Sequence, residues 1–224
     1  MYNINTFVDK IFFINLDKDI DRYNYIIDSF QKHNITNYEK ISGVLVNRED
    51  TINWKFMGPF NKKLDPEKYR IGSLGCLLAH QKTILLAKKR GYKKILILED
   101  DILFPNNFNE LFNDFITAFR KTGITYWNIL YLGLCNWRDT SANKYLSDDI
   151  IKIKGGGYCA HAYIINSNIF DYILENIDYS KMEIDLLYNS LNIQCAIRSY
   201  TYKERVIKHK HNNNSNTRKL TEFN

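Results

Sequence analysis

Two periods of hydrophobic positions alternate along the chain. Short apolar runs bounded by polar residues are typical of strands, whereas apolar residues that recur every three or four positions are typical of helices. Strands are predicted near residues 10–15, 38–42, 94–98, 128–132, 150–153, 158–165 and 194–198. Helices are predicted near residues 20–33, 73–90, 107–120, 167–176 and 183–191. Because strands and helices alternate, we predict an α/β fold with a mostly parallel sheet flanked by helices.

The chain is predicted to form one domain over residues 1–202, followed by a basic tail over residues 203–224. The helix near 73–90 is predicted to begin at Ser73, because serine is a common helix cap. Residues 43–71 are long, mixed and turn-rich. Such a stretch in a compact domain is usually functional or mobile.

Three carboxylates, Glu99, Asp100 and Asp101, directly follow the apolar run at 95–98. Four aliphatic residues without a polar break predict a strand buried on both faces, as in the centre of a parallel sheet. Ligands of open α/β sheets bind beyond the carboxyl ends of the strands, and carboxylates there suit Mg²⁺ or Mn²⁺. A solvated turn with a capping Asp is the alternative interpretation.

Composition narrows the class of protein. Of 224 residues, 45% are apolar and 25% charged, which is ordinary for a globular domain. No uninterrupted apolar run is long enough to span a bilayer, and the N-terminus lacks a secretory pattern. We therefore expect a cytoplasmic protein. Four well-separated cysteines without a CxxC pair fit reduced thiols and argue against a zinc site.

Charge is distributed unevenly. The net charge of the chain is +6. Residues 203–224 contain six Lys or Arg and two Glu, so this segment carries +4 of it. The remaining body is nearly neutral, so we expect no nucleic-acid partner. The tail either meets phosphate groups or is a solvated end.

Several segments, taken in order, resemble glycosyltransferase family 25. This family includes bacterial lipooligosaccharide galactosyltransferases and collagen hydroxylysine galactosyltransferases. No single segment is specific, but their order covers residues 10 to 186. They are Ile14-Asn15-Leu16-Asp17 with Arg22, Gly72 to His80, Ile97 to Asp101, Trp127 to Gly133, Gly157 to Asn166, and Ile184-Asp185.

The resemblance implies an A-type glycosyltransferase fold, Rossmann-like, with a UDP-sugar donor and a divalent metal, Mn²⁺ or Mg²⁺. A bound cation clamping the diphosphate would neutralise the charge of the leaving group. Asp101 is the expected metal ligand. Glu99 is expected to face the nucleoside or order the loop, and the role of Asp100 is left open.

The same resemblance implies that Asn15, Leu16 and Asp17, with Arg22, line the nucleoside side of the site. Arg22 has an alternative role in an ion pair with Asp17 or Asp19. His80 lies in an apolar helix, where a histidine is more often hydrogen-bonded core than a ligand. Its position in the family pattern favours a place near the donor sugar.

The tail and a late acidic residue complete the predicted site. His209 and His211 would point to one face of an extended segment and are candidate metal ligands. A disordered tail is the alternative. The inverting mechanism implied by the resemblance needs a base for the acceptor hydroxyl, and Asp185 is our candidate.

These predictions combine into one function. The expected reaction transfers galactose or glucose from a UDP-sugar to a glycan or a hydroxylysine-type acceptor, with residues 43–71 contributing to acceptor choice. The alternative is a catalytically silent relative that binds glycans. The sequence leaves the oligomeric state open.

Overall fold

The computed structural model describes residues 1–54, 65–135, 141–180 and 182–210. The strands are β1 Lys10–Asn15, β2 Tyr38–Ser42, β3 Lys94–Glu99, β4 Ile102–Leu103, β5 Ile129–Cys135, β6 Lys144–Tyr145, β7 Ile150–Ile153, β8 Tyr158–Asn166, β9 Ser199–Tyr202 and β10 Lys208–His209. The helices are α1 Ile4–Phe7, α2 Ile20–Lys32, α3 Pro66–Lys89, α4 Phe108–Lys121, α5 Phe170–Ser180 and α6 Ile184–Ile193. Short 3₁₀ helices lie at Glu49–Thr51 and Ser167–Ile169.

Eight of the described strands form one sheet in the order β2-β1-β3-β8-β5-β9-β7-β6. Pairing is parallel between β1 and β2, β1 and β3, and β5 and β9, and antiparallel elsewhere. All strands of this sheet except β7 and β8 therefore run in one direction. The predicted α/β fold is confirmed, with β8 inserted in reverse between β3 and β5.

The sheet is covered on both faces, and β3 shows why. Ile95 and Ile97 pack in the cluster that contains residues of α3, α5 and α6. Leu96 and Leu98 pack in the cluster that contains residues of α2 and α4. All four side chains are fully buried, so the apolar run is the two-faced central strand that its sequence predicted.

The start of α3 differs from the sequence-based prediction. The helix begins at Pro66, and the Asp65 carboxylate caps it by accepting hydrogen bonds from the N–H groups of Glu67 and Lys68. Proline suits this first position because its missing N–H is not needed there. Ser73 is buried inside the helix rather than at its end. The first turns lack the apolar stripe on which the prediction relied.

The last strand of the main sheet also begins later than predicted. Residues near 194–198 instead terminate α6: Ala196 N–H bonds to Leu191 O, and Cys195 N–H to Asn192 O. Cys195 adopts a φ of 56°, the left-handed conformation typical of such helix ends. Strand β9 starts at Ser199 because the chain must first leave this turn.

Of the helices that the structure describes, none has the length and apolar character that crossing a bilayer requires.

Candidate functional site

A cleft of about 430 Å³ opens where β1, β2 and β3 end, beside α3, α6 and the beginning of β8. Strands that run in one direction bring their carboxyl ends to one edge, which is where α/β sheets bind ligands. Nine of the residues predicted from the sequence line this cleft: Asn15, Leu16, Arg22, His80, Glu99, Asp100, Asp101, Asp185 and His209.

Asp101 and His209 meet in the cleft. Asp101 Oδ2 lies 3.2 Å from His209 Nε2, and both side chains are at most 13% exposed. The second carboxylate oxygen of Asp101, Oδ1, is buried and has no hydrogen-bond partner among the residues that the structure describes. Burial alone would raise the pKa of Asp101, but the hydrogen bond and charge of His209 outweigh it and lower that pKa.

Backbone pairing brings His209 to Asp101. Strand β10 runs antiparallel to β4, with His209 opposite Ile102. Lys210 N–H donates to the carbonyl of Asp101 at 2.7 Å, and Ile207 N–H donates to that of Leu132 at 2.9 Å. This part of the predicted basic tail is therefore ordered against the site. His211 lies outside the described residues.

The Asp100 carboxylate is held by two neighbouring side chains. Arg22 Nη1 donates to Asp100 Oδ1 at 2.8 Å, and Asn15 Nδ2 donates to Asp100 Oδ2 at 2.8 Å. Burial raises the pKa of Asp100 although both contacts oppose the shift. Arg22 thus forms an ion pair with Asp100, which the sequence analysis did not predict, because β3 places Asp100 next to the end of β1. Burial opposes a raised pKa of Arg22, but the charge of Asp100 and, to a smaller extent, that of Asp19 raise it.

Asp17 is separated from this group. Its carboxylate accepts hydrogen bonds from Lys40 Nζ at 2.6 Å and from Ser42 Oγ at 3.0 Å, and it is 69% exposed. These two contacts lower its pKa. Asp17 is not among the residues that line the cleft, whereas its neighbour Leu16 is.

Glu99 faces α3, the helix that carries His80. His80 is fully buried, its Nδ1 lies 2.8 Å from the Tyr163 hydroxyl, and its Nε2 lies 3.4 Å from Glu99 Oε1. The Cys76 thiol also approaches Glu99 Oε1, at 3.8 Å. His80 is therefore a hydrogen-bonded core histidine at the floor of the cleft, and it positions Glu99.

Asp185 lies in the first turn of α6. Its Oδ2 accepts the Cys159 N–H at 3.2 Å, and its Oδ1 accepts the Leu186 N–H at 2.9 Å. Burial is the main cause that raises the pKa of Asp185, and the charge of Glu99 adds to it. A carboxylate with a raised pKa is a better proton acceptor than an exposed one.

His161, on β8, is a cleft residue that the sequence analysis missed. It is 2% exposed, and its ring lies 5.3 Å from that of His209. Burial is the main cause that lowers its pKa to about 4. The available signal was a histidine inside an otherwise apolar strand. The sequence could not show that β8 starts, rather than ends, at the cleft.

Comparison with known proteins supports one family. The model of the family described as "Glycosyltransferase family 25 (LPS biosynthesis protein)" matches residues 8–188. A "Glycosyltransferase 25 family member" of Aedes aegypti is 21% identical over 179 residues, 78% of this chain and 29% of its own length. "Procollagen galactosyltransferase 2" of Mus musculus is 23% identical over 129 residues, 56% of this chain and 20% of its own. The chain thus spans less than a third of these relatives.

Among solved structures, a UDP-glucose pyrophosphorylase complexed with UDP-glucose has a TM-score of 0.48 and 10% identity. The alignment covers 88% of this chain and 90% of that one. This likeness is too weak to support a conclusion about ligands. The match to the family model, by contrast, begins before β1 and extends beyond Asp185. The chain belongs to glycosyltransferase family 25.

Proposed function

We propose that this protein is a metal-dependent inverting glycosyltransferase that transfers galactose or glucose from a UDP-sugar to a glycan or a hydroxylysine-type acceptor. Family membership supports sugar transfer, and a relative named procollagen galactosyltransferase favours galactose. The observation that carries the proposal is the pairing of Asp101 with His209 at the end of the central strand.

This pair fits a divalent cation. Asp101 Oδ1 is buried and accepts no hydrogen bond from any described residue, which is costly unless another group binds there. One carboxylate oxygen and one imidazole nitrogen form a ligand set suited to Mn²⁺. Asp101 and His209 would hold the cation. Oxygens of the donor diphosphate could supply its other ligands, so no third protein ligand is required. When bound, the cation neutralises charge on the departing diphosphate.

Asn15, Leu16 and Arg22 would form the nucleotide side of the cleft. Asp100 keeps the Arg22 guanidinium in place through an ion pair. The positive charge of Arg22 is therefore held close to Asp101. A fixed positive charge beside a cluster of carboxylates makes the site less repulsive to a diphosphate. Leu16 supplies apolar surface for the base at the same wall.

Asp185 would deprotonate the acceptor hydroxyl. It lies across the cleft on α6, where two backbone N–H groups orient both carboxylate oxygens. Burial raises its pKa, which makes its carboxylate more basic than that of an exposed Asp. Direct attack of the acceptor oxygen on the anomeric carbon would break the bond from that carbon to the diphosphate and release UDP from the opposite face. The hydroxyl proton would pass to Asp185, and the product would be inverted.

The test is hydrolysis of UDP-galactose and UDP-glucose with Mn²⁺, because slow hydrolysis needs no acceptor. We expect Asp101→Asn to abolish metal-dependent hydrolysis in a protein that remains folded. Asp148→Asn is the matched control, since Asp148 is exposed and outside the cleft. Equal hydrolysis by Asp101→Asn and the wild type would refute the cation assignment, and donor binding without hydrolysis or transfer would favour a silent binding protein.

A further inference from the structure

Two cysteines that are far apart in the sequence meet beside the cleft. Cys135 ends β5, and Cys159 lies near the beginning of β8, where the register places Cys135 opposite Tyr158. The thiols of Cys135 and Cys159 and one ring nitrogen of His161 all lie within 4.8 Å of one another. We propose that Cys135, Cys159 and His161 form a binding site for a thiophilic divalent cation, Zn²⁺.

His161 provides an independent reason to expect a ligand here. The side chain is 2% exposed, and neither ring nitrogen has a hydrogen-bond partner among the described residues. A buried imidazole normally satisfies at least one nitrogen, because leaving both without a partner costs free energy. Coordination of a metal by one nitrogen removes part of this cost.

The local backbone makes room for this arrangement. A Cβ on Gly133 would lie 2.2 Å from His161 Nε2, so only glycine at this position admits the ring. Cys159 adopts a φ of 72°, a left-handed conformation that is rare for a residue with a side chain. Its N–H is fixed by Asp185, so the thiol is held on the side of Cys135 and His161.

The chemistry of the three ligands selects a soft cation. Two thiolates and an imidazole are preferred by Zn²⁺, whereas Mn²⁺ and Mg²⁺ prefer oxygen. With bond lengths of about 2.3 Å to sulfur and about 2.0 Å to nitrogen, tetrahedral ligands lie roughly 3.5 Å apart, so small side-chain rotations close the site. Cys159 and His161 line the cleft, which leaves the fourth position open to water. Binding releases the two thiol protons to solvent.

This site uses other residues than the proposed Mn²⁺ pair, although the rings of His161 and His209 lie 5.3 Å apart. Its test needs no donor or turnover. Reduced, metal-free protein is titrated with Co²⁺, which gives a near-ultraviolet charge-transfer absorption only when thiolates bind it. Zn²⁺ is then added to displace it. We expect a single equivalent of Co²⁺ to produce the absorption, and a large excess of Mn²⁺ to leave it in place.

Variants assign the ligands. We expect Cys135→Ser and Cys159→Gly each to remove most of the absorption at one equivalent of Co²⁺, because loss of one ligand should weaken metal binding on the order of 100-fold. Cys159→Gly suits the positive φ, so loss of metal binding there is not due to misfolding. Cys195→Ser is the matched control because Cys195 is exposed and distant from the cluster in the sequence. Absence of the absorption in the wild type, or its persistence in Cys135→Ser, would overturn the proposal. So would its loss in Cys76→Ser, because the metal would then bind near His80 and Glu99.

Discussion

Asp100 illustrates how single residues set the charge of this cleft. Its side chain is 11% exposed and would be costly to bury as an anion without Arg22 and Asn15. The ion pair therefore matters mainly because removing one partner leaves the other charge without compensation. An exposed pair such as Lys40–Asp17 carries no such penalty, because water solvates both groups.

Arg22→Met should accordingly destabilise the protein by about 2 kcal/mol, less than a fully buried pair because Arg22 is partly exposed. Adding Asp100→Asn should recover most of this loss, since the uncompensated charge is then gone. Lys40→Met is the control and should change stability by less than about 0.5 kcal/mol. Urea denaturation is measured for the wild type, Arg22→Met, Asp100→Asn, the double variant and Lys40→Met. Additive losses in the double variant would show that the two side chains are not coupled.

Asp185 should make the protein less stable as the pH rises. The folded protein holds the Asp185 proton more tightly than the unfolded chain because burial raises its pKa. Stability is therefore unaffected below the ordinary Asp pKa of about 3.9, falls as the pH passes from there through the raised value, and is constant above it. Asp185→Asn should remove this fall, so its advantage in unfolding free energy over the wild type should be present at pH 7 and vanish near pH 3.

Asp185→Asn should change glycosyl transfer in the direction opposite to its effect on stability. Asp185→Asn cannot accept a proton, so it should lose glycosyl transfer while gaining stability. Thermal unfolding across the pH range and a transfer assay at pH 7 measure the two effects. An Asp185→Asn protein that is less stable at pH 7 than at pH 3, relative to the wild type, would contradict the assignment of a raised pKa.

At the scale of the residue, sequence reasoning found positions but not contacts. Asp101 and Asp185 were identified from the family pattern, and the structure brings both to one cleft. The pairing of Arg22 with Asp100 could not be read from spacing, because Arg22 lies in α2 and Asp100 follows β3, 78 residues further along the chain. His161 was missed because the direction of β8, which starts at the cleft, is not visible in its own residues.

At the scale of the element, the two-residue strand β10 is expected to have a large effect on the proposed metal site. It pairs with only two residues of β4, yet it carries His209 to Asp101. Val206 and Ile207, just before it, are fully buried and anchor the chain. The contribution to stability and the proposed metal binding therefore come from adjacent but different segments.

Two truncations separate these roles. A chain ending at Ile207 keeps the buried anchor and loses His209, so we expect near-native thermal stability but no Mn²⁺-dependent donor hydrolysis. A chain ending at Lys210 keeps His209 and should retain hydrolysis, which would show that His211 is dispensable. Unfolding scans and the hydrolysis assay measure both, and loss of hydrolysis in the longer chain would instead implicate His211 or later residues.

Helices and strands were largely predictable from hydrophobic period, and the exceptions have local causes. Helix α3 starts seven residues before the predicted Ser73, because Asp65 and Pro66 form a start signal that precedes the apolar stripe. The direction of β8 was not predictable from its own residues. An apolar strand buried on both faces has the same pattern whichever way it runs.

At the scale of the molecule, the cleft gathers residues from both layers of helices and from four strands. Ligands that bind such a site favour the folded state, because the unfolded chain cannot assemble it. UDP-galactose with Mn²⁺, at about 100 times its dissociation constant, should add about 2.7 kcal/mol and raise the melting temperature by roughly 5–10 °C.

The same measurement distinguishes donor binding from unspecific stabilisation. Asp101→Asn should show a much smaller rise with donor and Mn²⁺, while Asp148→Asn should match the wild type. Differential scanning fluorimetry with each nucleotide sugar gives the comparison. An equal rise for Asp101→Asn would place the donor elsewhere.

The position of His209 near the end of the described chain also affects the order of events during synthesis. A nascent chain leaves the ribosome N-terminus first, so the main sheet through β9 is available before β10 has emerged. During synthesis, Asp101 therefore lacks its partner His209 until β10 emerges and pairs with β4. The proposed cation at Asp101 and His209 could be captured only after residue 209 has left the ribosome, so metal loading would report that synthesis has gone beyond that point.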